Sequence, residues 1–173
     1  MTNAGMLQSP SCKPSTITAS TPHSSPRAPE TAPSDIDILF VPGGGGTRGA
    51  LGSFVDFIRE RYPSLKYLLS VCTGTGLLAQ SGVLDGRNAT TNELAWNKIS
   101  AMGPKVNWIS EARWVQDGNI WTTSGVSAGI DGTLGLVEYL YGDDIANGIA
   151  KNIEYVRAAN PAADPFVSSI PSN

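Results

Sequence analysis

At 173 residues with 40% hydrophobic side chains, the chain has the size of one domain with a full core. Its net charge of −3 gives no electrostatic basis for binding nucleic acid or an anionic membrane surface. No apolar run approaches the ~18 residues of a membrane span, and two cysteines, Cys12 and Cys72, make no disulfide framework.

Residues Met1 to Ser34 are rich in Ser, Thr, Pro and Ala. Six prolines, from Pro10 to Pro33, interrupt any helix or central strand, so the stretch reads as low-complexity and disordered. The first residues lack the basic and long apolar parts of a secretory signal, and a cytoplasmic location is the expectation. Folded structure is predicted over residues 35–160, with 161–173 as a C-terminal tail. It starts at Ile36 to Val41, an apolar run expected to be a parallel strand buried on both faces. Pro42 and four glycines follow, and then a helix from Ala50 to Arg61 with Leu51, Phe54, Val55 and Ile58 on one face, closed by Pro63.

The second apolar run, Tyr67 to Val71, stops abruptly at Cys72, and small residues lead into a helical stretch from Gly76 to Ser81. A residue at such a strand-to-helix turn is lifted above the sheet edge, as in a nucleophile elbow, here with cysteine in place of serine. The positive end of the helix would favour its thiolate. The alternative is that Cys72 is a small buried hydrophobe, as most free cysteines are. Beyond a turn at Val83 to Arg87 and a short extended piece, Asn88 to Thr91, a helix is predicted from Glu93 to Met102, carrying Leu94, Trp96 and Ile99. Ala112 to Val115 and Ile120 to Thr123 form a hairpin around an Asp-Gly turn. An apolar helix ends near Tyr141, and a last one runs from Asp143 to about Ala158. Strands alternating with helices give an α/β protein, a three-layer sandwich on a mainly parallel sheet.

Two motifs narrow the chemistry. Gly44 to Gly49 formally fits a dinucleotide fingerprint, but the next strand ends in Cys72 where an acid for the ribose is needed. The glycine loop serves better beside the elbow, where the N–H groups of Gly43 to Gly46 and Thr73 can form an oxyanion hole. The single histidine, His23, lies in the proline-rich segment. A Cys-His dyad of the protease or amidotransferase type therefore has no usable base.

Four stretches in order resemble the ThiJ/PfpI superfamily, the class I glutamine amidotransferase-like fold. They are Asp37 to Gly44, Ser70 to Gly74, Gly86 to Thr91 and Thr123 to Asp131. Cys72-Thr73 and Ser127 to Asp131 are similar to its isocyanide hydratase branch. The resemblance implies a flavodoxin-like sandwich, a homodimer and a small-molecule substrate, with neither metal nor organic cofactor. It assigns Cys72 as the nucleophile and Thr73 as the group steering the intermediate, with Gly44 and Gly45 in the loop facing them. Ser127 and Asp131 match positions at the start of the late helix, where Asp131 can instead serve as a structural cap. Trp96 and Trp121 are candidates to wall an apolar pocket or to fill the core. Two departures stand out. The family's first strand carries an acid that reaches the cysteine, whereas residues 1–34 hold only Glu30 as an acid, so an exposed sheet edge is expected. Asn92 stands where relatives often have histidine. The implied activity is hydration of an isocyanide to an N-substituted formamide. The alternatives are a redox-sensing or non-catalytic relative, and a glyoxalase or deglycase.

Overall fold

Runs of Ile, Leu, Val and aromatic residues alternate with amphipathic stretches, and the computed structural model turns that alternation into a layered sheet. It describes residues 32–33, 35–48, 51–158 and 160–167, so the expectations for the first segment, Cys12 and His23 included, lie essentially outside the described residues. The strands are β1 (Ile38–Val41), β2 (Tyr67–Val71), β3 (Asn88–Ala89), β4 (Asn107–Trp108), β5 (Trp114–Asp117) and β6 (Ile120–Thr123). The helices are α1 (Gly52–Arg61), α2 (Thr75–Ser81), α3 (Trp96–Ser100), α4 (Val126–Tyr141) and α5 (Asp143–Asn152).

The main sheet has the order β1-β2-β6-β5, with β1, β2 and β6 parallel and β5 antiparallel to β6. The short strands β3 and β4 pair in parallel beside it. Its two faces bury separate clusters, because successive side chains on a strand point to opposite sides. Leu68 and Ile120 pack with Val55, Ile58, Leu77 and Leu78 under α1 and α2. On the other face Leu69 and Trp121 pack with Leu136 of α4. Fully buried leucines such as Leu68 and Leu78 each contribute roughly 1.5–3 kcal/mol relative to exposure. Trp121 thus belongs to the core and not to a pocket wall. Helix α4 lies close on the sheet because a Cβ on Gly129 would come 2.8 Å from Val71 Cγ1, and one on Gly132 would come 2.5 Å from Thr123 Cγ2.

Four expectations change. First, β1 is buried on one face only: Val41 packs toward α1, whereas Ile38 and Phe40 are 41% and 45% exposed. Register pairs Phe40 with Leu69, on the face of α4. That helix covers β2, β5 and β6, which leaves β1 bare. The outer edge of β1 has no partner strand among the described residues. Second, the hairpin turn tightens to Gly118-Asn119, since Asp117 pairs with Ile120 and Gly118 takes φ +61°. A two-residue turn of this kind matches strand twist. Third, Glu93–Ala95 is a 3-10 turn capped by Asn92, whose Oδ1 accepts from the Ala95 N–H. The tighter winding leaves Leu94 74% exposed while Ile99 stays buried. Fourth, α5 stops at Asn152, not near Ala158. Glu154 adopts φ +54°, and the chain then turns back so that the Tyr155 hydroxyl donates to Ser127 O and the Ala158 N–H to Asp131 Oδ1. Among the described residues no helix is long and apolar enough to cross a membrane.

Candidate functional site

Parallel pairing aligns Val41 with Ser70 and Val71 with Thr123, so the glycine loop, the elbow and the start of α4 share one sheet edge. Cys72 is the first residue past β2 and has φ +58°, a left-handed conformation that a residue with a Cβ adopts at a cost of roughly 1–2 kcal/mol. The conformation is held from several sides. The Thr91 hydroxyl donates to Cys72 O at 3.0 Å, and Ser70 and Thr75 hydroxyls, 2.8 Å apart, bridge the strand end to α2. Gly43 and Gly74 permit the approach. A Cβ on Gly43 would stand 2.9 Å from Cys72 Cβ, and one on Gly74 would overlap the Val41 carbonyl oxygen and lie 2.8 Å from that of Pro42. The thiol is free and half-buried.

Gly44 sits beside it with φ +131°, and its N–H donates to Thr73 Oγ1 at 3.0 Å. The Thr47 hydroxyl lies 2.7 Å from Gly44 O and 3.0 Å from Thr73 Oγ1. The loop N–H expected to face a reacting atom is thus engaged by the threonine next to the cysteine, and Thr73 is fixed in orientation by both contacts. Gly45, itself exposed, opens the 3-10 turn Gly45–Arg48. Trp96 is half-buried and packs edge-on against Trp108, with ring centroids 6.0 Å apart.

Ser127 and Asp131 are drawn into a second constellation around Arg113. The Arg113 guanidinium donates to Asp131 Oδ2 from Nε at 3.0 Å and from Nη2 at 2.7 Å, and Nη2 also reaches Ser127 Oγ at 3.3 Å. The second Asp131 oxygen accepts the Ala158 N–H at 2.9 Å. Asp131 thus ties α4 to the start of β5 and to the chain beyond α5, and its carboxylate caps no N–H of its own helix. Burial opposes the charge on Arg113, but hydrogen bonds and charge from Asp131, with Asp164 beyond, leave its pKa above the usual arginine value. Asp164 accepts from the Ser124 hydroxyl at 2.8 Å and from the Phe166 N–H at 3.0 Å. Glu93 is 6% exposed, and its Oε1 has no hydrogen-bond partner. Burial and then the neighbouring Asp164 raise the Glu93 carboxyl above the glutamate range. Burial would raise Asp164 as well, but the hydrogen bonds from Glu93, Phe166 and Ser124 and the charge of Arg113 lower it overall. Sequence reading passed over Arg113, Glu93 and Asp164. Glu93 reads as an ordinary first-turn helix acid, and Asp164 falls in the segment set aside as tail. Among the described residues no group of three or more His, Cys, Asp or Glu is placed to hold a metal ion.

An apolar groove of about 350 Å³ runs from Val71, next to Cys72, between Phe40 and the residues Val126, Ile130 and Ile153. The profile of the DJ-1/PfpI family matches residues 14–139. The chain belongs to the DJ-1/PfpI family. It is 35% identical over 138 residues to the isonitrile hydratase of Pseudomonas putida, which covers 79% of this chain and 57% of that protein. It is 30% identical over 129 residues to the HTH-type transcriptional regulator GbdR of Pseudomonas aeruginosa, covering 72% of this chain and 34% of the regulator. Among solved structures, a THiJ/PfpI family protein from Pseudomonas syringae superposes with a TM-score of 0.66 at 31% identity, over 83% of this chain and 59% of that one. The chain therefore spans less than two thirds of the length of these DJ-1/PfpI relatives, and its sandwich is their flavodoxin-like fold.

Proposed function

We propose that this protein is a cysteine-dependent hydratase acting on a small electrophilic carbon, most specifically that of an isocyanide. The observation that carries the reading is Cys72 held at φ +58° on the strand-to-helix turn, beside Thr73 and the glycine loop. A residue whose backbone is kept in a costly conformation by a surrounding hydrogen-bond frame is a common mark of a working site. Its 35% identity to an isonitrile hydratase supports the substrate class.

In this reading Cys72 Sγ attacks the isocyanide carbon, and the electron pair that develops on that carbon takes up a proton. Water then adds to the resulting thioimidate carbon. The carbon–sulfur bond breaks to release the N-substituted formamide, the thiolate and the proton taken up earlier, so that one water is consumed per turnover. The Thr73 hydroxyl and backbone N–H lie beside the nucleophile and orient the intermediate; a preorganised donor at such a position contributes ~10²–10³ in rate. The groove beginning at Val71 offers apolar walls to the substrate's hydrocarbon group. The wild type is expected to form formamide from a simple aromatic isocyanide, detected by mass spectrometry, and Cys72→Ala to form none. Formamide production by a folded Cys72→Ala protein at the wild-type rate would refute the mechanism.

A further inference from the structure

Strand β1 ends the main sheet with an edge that no strand among the described residues answers. The Tyr67 N–H donates to Asp37 O, so the Asp37 carbonyl faces β2. Main-chain groups alternate in direction from one strand residue to the next, as side chains do. Those of Leu39 therefore face β2, and those of Ile38 and Phe40 face outward. An open edge of this kind is a template for another strand. The same two residues turn exposed apolar side chains to the face that α4 leaves bare. Whatever covers β1 must bring both a strand and apolar groups two residues apart.

We propose that a second copy of this chain covers β1, with the two β1 strands antiparallel about a two-fold axis beside Leu39. In that register Ile38 stands opposite the partner's Phe40, and Phe40 opposite the partner's Ile38. Each pair exchanges two main-chain hydrogen bonds, so the outward groups of both edges are satisfied. On the bare face both pairs set an aromatic ring against a β-branched side chain, a favourable cross-strand match. Asp37 falls opposite the partner's Val41, so the ladder sets no like charges against each other. Pro42, the next outward position, has no N–H to donate, which ends the ladder there.

The terminal stretches of the chain offer no such match. Residues 1–31 carry Met1, Met6, Leu7 and Ile17 as their large apolar side chains, and residues 168–173 carry Ile170. No two of these are two positions apart, whereas a second β1 supplies that spacing by symmetry. The net charge of −3 sets little repulsion between copies. Phe40 also lines the groove that begins at Val71. The partner's Ile38, set beside Phe40, extends that wall, so the groove is bounded on this side by both protomers.

Sedimentation of the full chain at high micromolar concentration reads association without reference to catalysis, and its outcome is separate from that of the hydratase assay. The wild type is expected to sediment as a dimer. Ile38→Lys combined with Phe40→Lys sets cation against cation across the two-fold axis and should abolish the dimer, as should Ile38→Glu combined with Phe40→Glu. Mixing the two variants should restore a dimer holding one chain of each. A monomeric wild type, or a dimer that the two lysines leave intact, would overturn the proposal. Crosslinking tests the register, and decides should the charged variants fail to fold. Leu39 meets its own copy as a non-hydrogen-bonded pair, whose Cα separation of ~4.5 Å suits a disulfide. In a Cys12→Ser background, Leu39→Cys should link two chains under mild oxidation, with mass spectrometry placing the bond at position 39 of both. The absence of that bond overturns the proposal.

Discussion

Gly74→Ala probes how closely the elbow is fitted to its neighbour strand. Gly74 has φ −60° and ψ −28°, ordinary right-handed helical geometry, so alanine meets no backbone objection there. Helix propensity alone would favour the change by up to about 1 kcal/mol. The added methyl, however, would overlap the Val41 carbonyl oxygen and stand 2.8 Å from the Pro42 carbonyl oxygen. Both are main-chain atoms at the end of β1, and neither can rotate away. Relief requires β1 and the elbow to part by several tenths of an ångström, which places the cost at the upper end of overpacking, roughly 3 kcal/mol. The net expectation is a loss of about 2 kcal/mol. Gly76→Ala is the control: its methyl would lie 3.1 Å from Ile99 Cδ1 and Met102 Sδ, the tips of flexible side chains. There the propensity gain and the small steric cost cancel to within about 0.5 kcal/mol. Urea denaturation followed by tryptophan fluorescence gives both values, with the slope checked for constancy. Equal stabilities for the two variants would refute the claim that close contact between β1 and the elbow governs this site.

Two further outcomes follow from the same geometry. Cys72→Gly removes the penalty of a left-handed side-chain-bearing residue and should match or exceed the wild type in stability by about 1 kcal/mol while losing all turnover, whereas Cys72→Ala keeps the strain; thermal melts by circular dichroism compare the two. Arg113→Met strips the buried Asp131 carboxylate of its two side-chain donors and should cost about 3–5 kcal/mol in urea denaturation, with most of that recovered when Asp131→Leu is added.

The parallel strands and the elbow were legible because they rest on local signals: an apolar run ending in Cys72, small residues after it, and glycines where backbones must approach. The positions of Thr73 and Gly44 beside Cys72 followed from the rule that neighbouring parallel strands end at one edge. What escaped were features decided by distant partners. The burial of β1 depends on whether a helix lies over it, and Phe40 reads identically in either case. The end of α5 is set by Ser127 and Asp131 drawing the chain back, a contact across more than twenty residues that no helical period announces. Glu93 and Asp164 are separated by seventy-one positions, and their burial together appears only when the chain beyond α5 folds over the sheet edge.

The glycines of α4 divide that helix into a face that cannot change and one that can. Gly129, Gly132 and Gly135 recur every third residue; a methyl group on the first two would overlap Val71 or Thr123, and one on Gly135 would press on the indoles of Trp114 and Trp121. Val126, Ile130 and Thr133, turned by about 40° or more from Gly129 around the same cylinder, line an open groove that Gly129 borders. Substitutions on the first face move the whole helix relative to Cys72, and selection must remove them. Those on the second resize the groove that begins at Val71 and leave the scaffold where it was. Under the proposed function, new substrate preferences in descendants of this chain should therefore accumulate along one narrow stripe of a single helix, with the glycine stripe beside it almost silent.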